Sequence, residues 1–81
     1  MTEKQKSDFY KNVHCAMIDA DVKECEIIAT LNKEREKLGK KAVSQQCVNA
    51  MIRGIKDPTM ELINVLISEL GVTYEDLVRV R

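Results

Sequence analysis

The sequence predicts an all-α domain of five short helices around one apolar core. Apolar residues recur at helical spacing along the chain, and no segment alternates between apolar and polar residues as a half-buried strand does. Only three glycines and one proline interrupt the 81 residues, which favours helices over a turn-rich β fold. A chain of this length allows a single domain, residues 1–81.

The first helix is predicted over about residues 8–19. Ser7 and Asp8 supply an N-cap, since short polar side chains accept hydrogen bonds from the first free backbone N–H groups of a helix. Apolar residues then follow with a period near 3.6, which indicates one buried face: Phe9, Val13, Ala16, Met17 and Ala20.

A second helix is predicted to follow Asp21. Asp21 and Glu24 have the spacing of a capping box, in which each side chain accepts a hydrogen bond from the other residue's backbone N–H group. The apolar face of this helix is Cys25, Ile28 and Leu31, with Ile27 beside them. The helix can continue through the charged stretch 33–37 to Gly39, a residue type common just after helix C-termini.

A third helix is predicted over about 44–54, from the cap Ser44 to the terminating Gly54. Its apolar face is Val48, Met51 and Ile52, and its polar residues lie mostly off that face.

Two further helices are predicted in the C-terminal part of the chain. Thr59 caps a strongly apolar helix over about 59–70 that ends at Gly71. Its apolar residues are Leu62, Ile63, Leu66, Ile67 and Leu70. Thr73 caps a short helix over about 73–78. The 59–70 helix is expected in the core, although part of it, with Tyr74, Val78 and Val80, can instead form a dimer face.

Charge is balanced overall but unevenly distributed. Thirteen basic and thirteen acidic residues give a net charge of zero, an unfavourable sum for a nucleic-acid binder, because phosphate neutralisation supplies most non-specific affinity. Residues 33–56 nevertheless carry seven bases and two acids, whereas 15–32 and 57–81 are each acidic by three charges. The positive charge is therefore concentrated in the centre of the chain, around the third helix.

Several functional classes are disfavoured. No stretch resembles a signal peptide or a membrane-spanning helix, so we expect a cytoplasmic protein without membrane association. Three cysteines and one histidine do not make a zinc site, and the cysteines are expected to be small buried apolar residues. No nucleophile–base set, paired carboxylates or phosphate loop is visible, so neither an enzyme nor a cofactor is expected.

From Val43 to Val78 the order of caps, apolar spacing and stop signals resembles the Cro/repressor-type (lambda-repressor-like, Xre) helix-turn-helix family. The matching residues are Val43-Ser44-Gln45-Gln46-Cys47-Val48-Asn49-Ala50-Met51-Ile52-Arg53-Gly54, then Asp57-Pro58-Thr59, Leu62, Leu66, Leu70-Gly71-Val72-Thr73 and Asp76-Leu77. The resemblance implies a five-helix DNA-binding domain in which 44–54 is the recognition helix. It also implies a repressor or Cro-like regulator from a phage or another mobile element.

The resemblance also suggests which residues contact operator DNA. The N-terminal part of a recognition helix lies nearest the base edges, and glutamine pairs well with adenine. The expected base-reading residues are Gln45, Gln46, Asn49 and Ala50, and the expected phosphate contacts are Ser44, Lys40, Lys41, Arg53 and Lys56. As alternatives, the glutamines are ordinary solvated residues of a first helical turn, and Lys40 and Lys41 only solvate a loop.

Two features depart from the family pattern. A helix-turn-helix joins its helices by a turn of three or four residues, whereas about ten extra residues, 32–41, intervene here. Glu24 stands where family members often have a phosphate-binding glutamine, and its charge repels phosphate. The leading hypothesis is a sequence-specific DNA-binding regulator acting as a homodimer, formed in solution or only on DNA. The alternative is a protein-interaction module on the same fold: an antirepressor, an antitoxin or an inhibitor of a regulator.

Overall fold

The computed structural model describes all 81 residues, Met1 to Arg81, of which 68% are helical. Five helices follow one another and no strand is present, which confirms the predicted all-α class. None of the helices has the length and apolar character needed to cross a membrane. They are α1 (Glu3–Ala20), α2 (Glu24–Lys37), α3 (Gln45–Ile52), α4 (Met60–Leu70) and α5 (Tyr74–Leu77).

The predicted caps of the last three helices are confirmed. The side-chain oxygens of Ser44, Thr59 and Thr73 each accept a hydrogen bond from the backbone N–H group three residues later, all at 3.2 Å. In each case a short hydroxyl side chain satisfies a backbone donor that has no partner within its helix.

Helix α1 begins at Glu3, so the cap predicted at Ser7 and Asp8 was wrong. Thr2 and Gln5 form the capping box instead: Thr2 Oγ1 accepts from the Gln5 N–H at 3.1 Å, and Gln5 Oε1 accepts from the Thr2 N–H at 2.8 Å. Asp8 lies within the helix, where its buried carboxylate accepts a hydrogen bond from Lys4 Nζ at 3.0 Å. This ammonium group holds the pKa of Asp8 below its usual range.

Helix α2 also begins later than predicted, because Asp21 has a different role. Asp21 adopts a left-handed conformation (φ 54°) and ends α1, so it cannot cap α2. Lys23 is the N-cap residue, and its backbone N–H group donates to Glu26 Oε2 at 3.1 Å. At its other end α2 does continue through the charged stretch, and it stops at Lys37, shortly before Gly39.

The core contains buried apolar side chains from all five helices. Helix α2 packs against α4, and α1 contacts α3, α4 and α5. Most residues of the predicted apolar faces lie in this core, and Val65 is an addition that sequence analysis did not identify. The core residues are Phe9, Val13, Ile27, Leu31, Val48, Met51, Ile52, Leu62, Ile63, Val65, Leu66, Leu70 and Leu77.

The cysteines are not the buried apolar residues that the sequence suggested. Cys15 and Cys25 are exposed and Cys47 is half-buried. The buried residues of α2 are Ile27 and Leu31, and this orientation leaves Cys25 outside the core. The prediction was wrong for Cys25 because it placed this residue on the buried face of α2, and it was also wrong for Cys15, whereas Cys47 is partly buried against the core.

A buried amide ties the C-terminal segment to α1. Asn12 is 5% exposed, and its Nδ2 donates to the backbone carbonyls of Leu77 at 3.0 Å and Arg79 at 2.9 Å. Its Oδ1 accepts from Arg81 Nε at 2.6 Å. One side chain therefore holds α5 and the residues after it against α1, a role that no local sequence pattern had indicated.

Candidate nucleic-acid interface

Helix α3 presents one side to the core and the other to solvent. Its buried residues Val48, Met51 and Ile52 pack toward α1 and α2. Gln45 and Gln46, at the start of the helix, are both exposed, and neither side chain hydrogen-bonds to the rest of the chain. Both amide groups are therefore free to donate and accept hydrogen bonds with an external partner.

A line of residues runs along the outer side of α3. Gln46, Ala50 and Arg53 are four and three positions apart, the spacing that places side chains on one face of a helix. Arg53 is exposed and makes no ion pair. The sequence had suggested Arg53 for a phosphate contact, and the helix places it in line with the base-reading candidate Gln46.

The other two base-reading candidates are less accessible. Asn49 and Ala50 are half-buried. The Asn49 Oδ1 atom is buried and has no hydrogen-bond partner, so this oxygen is not presented on the outer surface. Gln45 and Gln46 are therefore the most accessible amides of α3.

The start of α3 has the free backbone donors of a helix N-terminus. Ser44 is exposed, and its hydroxyl oxygen caps the helix by accepting from the Cys47 N–H group. The N–H groups of Gln45 and Gln46 precede the first intrahelical hydrogen bond, which runs from Val48 N–H to the Ser44 carbonyl at 3.1 Å. Such donors, together with the helix dipole, favour an anion at this position.

The connection between α2 and α3, residues 38–44, is held by two side chains of α2. Asn32 Nδ2 donates to the Val43 carbonyl at 3.2 Å, and Asn32 Oδ1 accepts from the Val43 N–H at 2.8 Å. Arg35 Nε donates to the Lys41 carbonyl at 2.7 Å. Because α2 extends to Lys37, part of the inserted segment 32–41 is helix, and these side chains fix the remaining residues.

The four lysine and arginine candidates around α3 differ in what they contact. Lys41, like Arg53, is exposed and makes no ion pair. Lys56 Nζ lies 3.3 Å from Cys47 Sγ, at the start of α3, and is not paired with a carboxylate. Lys40 is different, because its Nζ lies 3.7 Å from Glu61 Oε2. Three of the four cationic groups therefore have no carboxylate partner.

The two carboxylates that follow α3 most closely in the chain are both paired with cations. Glu61 is bound by Arg35 and Lys40, and Asp57 is bound by the N-terminal ammonium group at 3.2 Å. Glu24 has a buried Oε1 without a hydrogen-bond partner. It lines a cavity of about 320 Å³ together with Tyr10, His14, Met17, Ile52 and Arg53.

Sequence reasoning missed the residues that organise the connection before α3. Asn32, Arg35 and Glu61 act through contacts 6 to 26 positions away in the chain. A local pattern of caps and apolar spacing cannot signal such contacts. The only sequence clue was the density of charge between residues 33 and 41.

No family model, curated protein or solved structure matches this chain. The function is therefore inferred from the geometry and charge of α3 and its flanks.

Proposed function

We propose that this chain is a sequence-specific DNA-binding regulator of transcription that places α3 in the major groove of operator DNA. The observation that carries the proposal is the pair of exposed, unbonded amides of Gln45 and Gln46 at the start of a helix flanked by unpaired cations. Amides at such a position suit base edges, and cations on both sides suit the two phosphate backbones that border a groove.

The arrangement supports a division of roles among the side chains. A glutamine amide can accept a hydrogen bond from adenine N6 and donate one to adenine N7 at the same time. Gln46, with Ala50 and Arg53 along the same face, lies where base edges would be read. Lys41, and Lys56 with its ammonium beside Cys47, would neutralise phosphates near the start of α3, and Arg53 is the unpaired cation at its other end. The free N–H groups of Gln45 and Gln46 would bind another phosphate.

One recognition helix gives limited specificity, so the proposal includes binding as a pair on a two-fold site. The C-terminal segment supplies exposed side chains for pairing: Tyr74 is 46% exposed and Val80 is 77% exposed. The proposal also places the protein in the cytoplasm, with access to the DNA, and assigns it no catalytic activity.

Selection of bound duplexes from a random pool tests the proposal directly. We expect an enriched sequence with two half-sites about one helical turn, ~10 base pairs, apart. Gln46→Ala should weaken binding to that sequence by about 1–3 kcal/mol and relax the preference at one base pair of each half-site. The matched control is Asn64→Ala, because Asn64 is an exposed amide on α4, outside the proposed interface.

The phosphate contacts are tested by the salt dependence of binding. Lys41→Ala should weaken binding to all sequences alike and reduce the slope of log affinity against log salt by about one. Lys11→Ala removes the same charge from an exposed, unpaired lysine of α1 and should leave the slope unchanged. If no duplex is enriched and none is bound even at low salt, the proposal is wrong.

A protein-interaction module on the same fold is the second candidate. Large apolar side chains are exposed in the segments that precede and follow α3 in the chain: Leu38 is 68% exposed, Ile55 73% and Met60 61%. Exposed apolar side chains are typical of protein-binding surfaces when they adjoin one another. A stoichiometric complex with a regulator encoded by a neighbouring gene, formed without DNA and lost on Ile55→Ser, would favour this function over DNA binding.

A further inference from the structure

The Glu61 carboxylate of α4 lies between two cations, Arg35 of α2 and Lys40 of the connection that leads into α3. Glu61 Oε1 accepts a hydrogen bond from Arg35 Nη1 at 2.7 Å, and Glu61 Oε2 is 3.7 Å from Lys40 Nζ. We refer to these three residues as the Glu61 cluster. Its Arg35 also donates to the Lys41 carbonyl, so the cluster is attached to the connection that leads into α3.

The geometry of the cluster is that of an anion site that the chain fills itself. A guanidinium group and an ammonium group converging on one pair of oxygens is also how proteins bind phosphate. We propose that Glu61 competes with the DNA backbone for these cations, and that it thereby lowers affinity for all DNA sequences alike. This inference rests on the proposed function and adds a residue that sets the sequence-independent part of the affinity for DNA.

The two cations differ in how readily they can bind a phosphate. The Arg35 side chain is 20% exposed and also holds the Lys41 carbonyl, so it is committed to the protein. The Lys40 side chain is 49% exposed and has only the longer contact to Glu61. Lys40 is thus the cation whose pairing with Glu61 competes with its binding to a DNA phosphate.

Pairing of Lys40 with Glu61 reduces the number of counterions that are released when the protein binds DNA. A lysine that neutralises a phosphate adds about 0.9 to the slope of log affinity against log salt, whereas a lysine already neutralised by a carboxylate adds little. Because this contribution is independent of sequence, its loss lowers the affinity for operator and random DNA by the same factor, while base contacts alone set the difference between them.

Glu61 also has a structural role, and that role predicts the opposite result. It lies in the first turn of α4, where a negative charge is favoured by the helix dipole. Its removal for that reason alone would destabilise the protein and weaken binding. The inference predicts tighter binding, so the sign of the effect separates the two explanations.

The test compares Glu61→Gln with Glu34→Gln. Glu34 pairs with Lys37 at 3.5 Å on the exposed surface of α2, so both variants remove one negative charge and one carboxylate partner of a lysine. Affinity for a random-sequence duplex is measured over a range of salt concentrations. We expect Glu61→Gln to bind about eightfold more tightly than Glu34→Gln at 0.1 M salt, with a slope steeper by about 0.9.

Lys40 provides a second test that leaves Glu61 in place. Lys40→Ala should leave the slope of the otherwise native protein unchanged, whereas in the Glu61→Gln background it should remove the added 0.9. The inference is overturned if Glu61→Gln binds no more tightly than Glu34→Gln. It is equally overturned if Lys40→Ala lowers the slope of the otherwise native protein by a full unit.

Elution from a heparin column separates this inference from the proposed function. Heparin is a polyanion without base pairs, so it reports on the release of Lys40 whether or not the protein regulates transcription. Later elution of Glu61→Gln than of Glu34→Gln, without duplex binding by the native protein, would retain the role of Glu61 and reject DNA binding. Equal elution of the two variants would reject the role of Glu61 even if the native protein binds an operator.

Discussion

Gly54 lies where the end of α3 comes close to the backbone of α1, and neither of the other two glycines has such a close neighbour. It has a φ of +77°, and a Cβ atom built on it would lie 2.6 Å from the Lys6 carbonyl oxygen and 3.1 Å from the Lys6 carbonyl carbon. The Lys6 carbonyl belongs to α1, so it cannot move aside as a flexible side chain would. Gly54→Ala should therefore separate the end of α3 from α1.

The free-energy cost of Gly54→Ala has two parts, and alanine substitutions at the other two glycines measure one of these parts alone. Gly39 and Gly71 have similar φ values of +72° and +65°, and a Cβ atom at either position meets nothing within 4 Å. Gly39→Ala and Gly71→Ala should each cost only the left-handed strain of an L-residue, about 1–2 kcal/mol. Gly54→Ala adds the steric contact, about 1–3 kcal/mol by comparison with overpacked cores, for a total of about 2–5 kcal/mol.

Equilibrium unfolding in urea, followed by circular dichroism, measures the three variants side by side. The midpoint should fall furthest for Gly54→Ala. The free energy of unfolding of this variant should lie at least 1 kcal/mol below that of the other two, the lower bound for the added contact. If all three lie within about 0.5 kcal/mol of one another, the close approach of α3 to α1 is not as described.

Two further predictions concern α1. Asn12→Ala should lower the free energy of unfolding by about 2–3 kcal/mol, because it leaves the Leu77 and Arg79 carbonyls without their donor. Urea unfolding measures this loss, with Asn64→Ala, at an exposed position, as the control. Equal stability of the two variants would contradict the prediction. The pKa of Asp8 is lowered by the Lys4 ammonium, so its contribution to stability is complete above the unfolded value of about 3.9 and is lost as pH falls through the folded value. Urea midpoints between pH 7 and 2 should therefore drop less steeply below pH 4 for Asp8→Asn, and an unchanged drop would refute this role.

The sequence was most informative where a structure depends on neighbouring residues. The caps at Ser44, Thr59 and Thr73 were all identified correctly, because an N-cap hydrogen bond spans only three positions. The two N-terminal caps were wrong because each region offers more than one polar residue. Thr2 with Gln5 competes with Ser7, and the left-handed conformation of Asp21 could not be deduced from its side chain.

Burial was less predictable than helix position. Asn12 and Asp8 are polar and buried, because Asn12 has partners near the C-terminus and Asp8 has Lys4 one turn away. Exposure of Gln45 and Gln46 agrees with the predicted arrangement of the candidate site, whereas burial of the Asn49 oxygen does not follow from its helical position. Periodicity indicates which face of a helix is apolar, but it does not show where a polar side chain finds its partner.

The long connection before α3 explains why two polar side chains of α2 bind its backbone atoms. A turn of three or four residues fixes the relative placement of two helices by its own backbone geometry. Residues 38–44 are too many to do so alone, and an unrestrained connection would let α3 vary in position. Asn32 and Arg35 replace that restraint with hydrogen bonds to the Val43 and Lys41 backbones, from consecutive turns of a helix that is itself anchored in the core. The placement of α3 thus depends on α2 through Asn32 and Arg35 and on α1 through Gly54. If α3 is the recognition helix, as proposed, changes at any of these three positions should alter DNA affinity without altering Gln45 or Gln46.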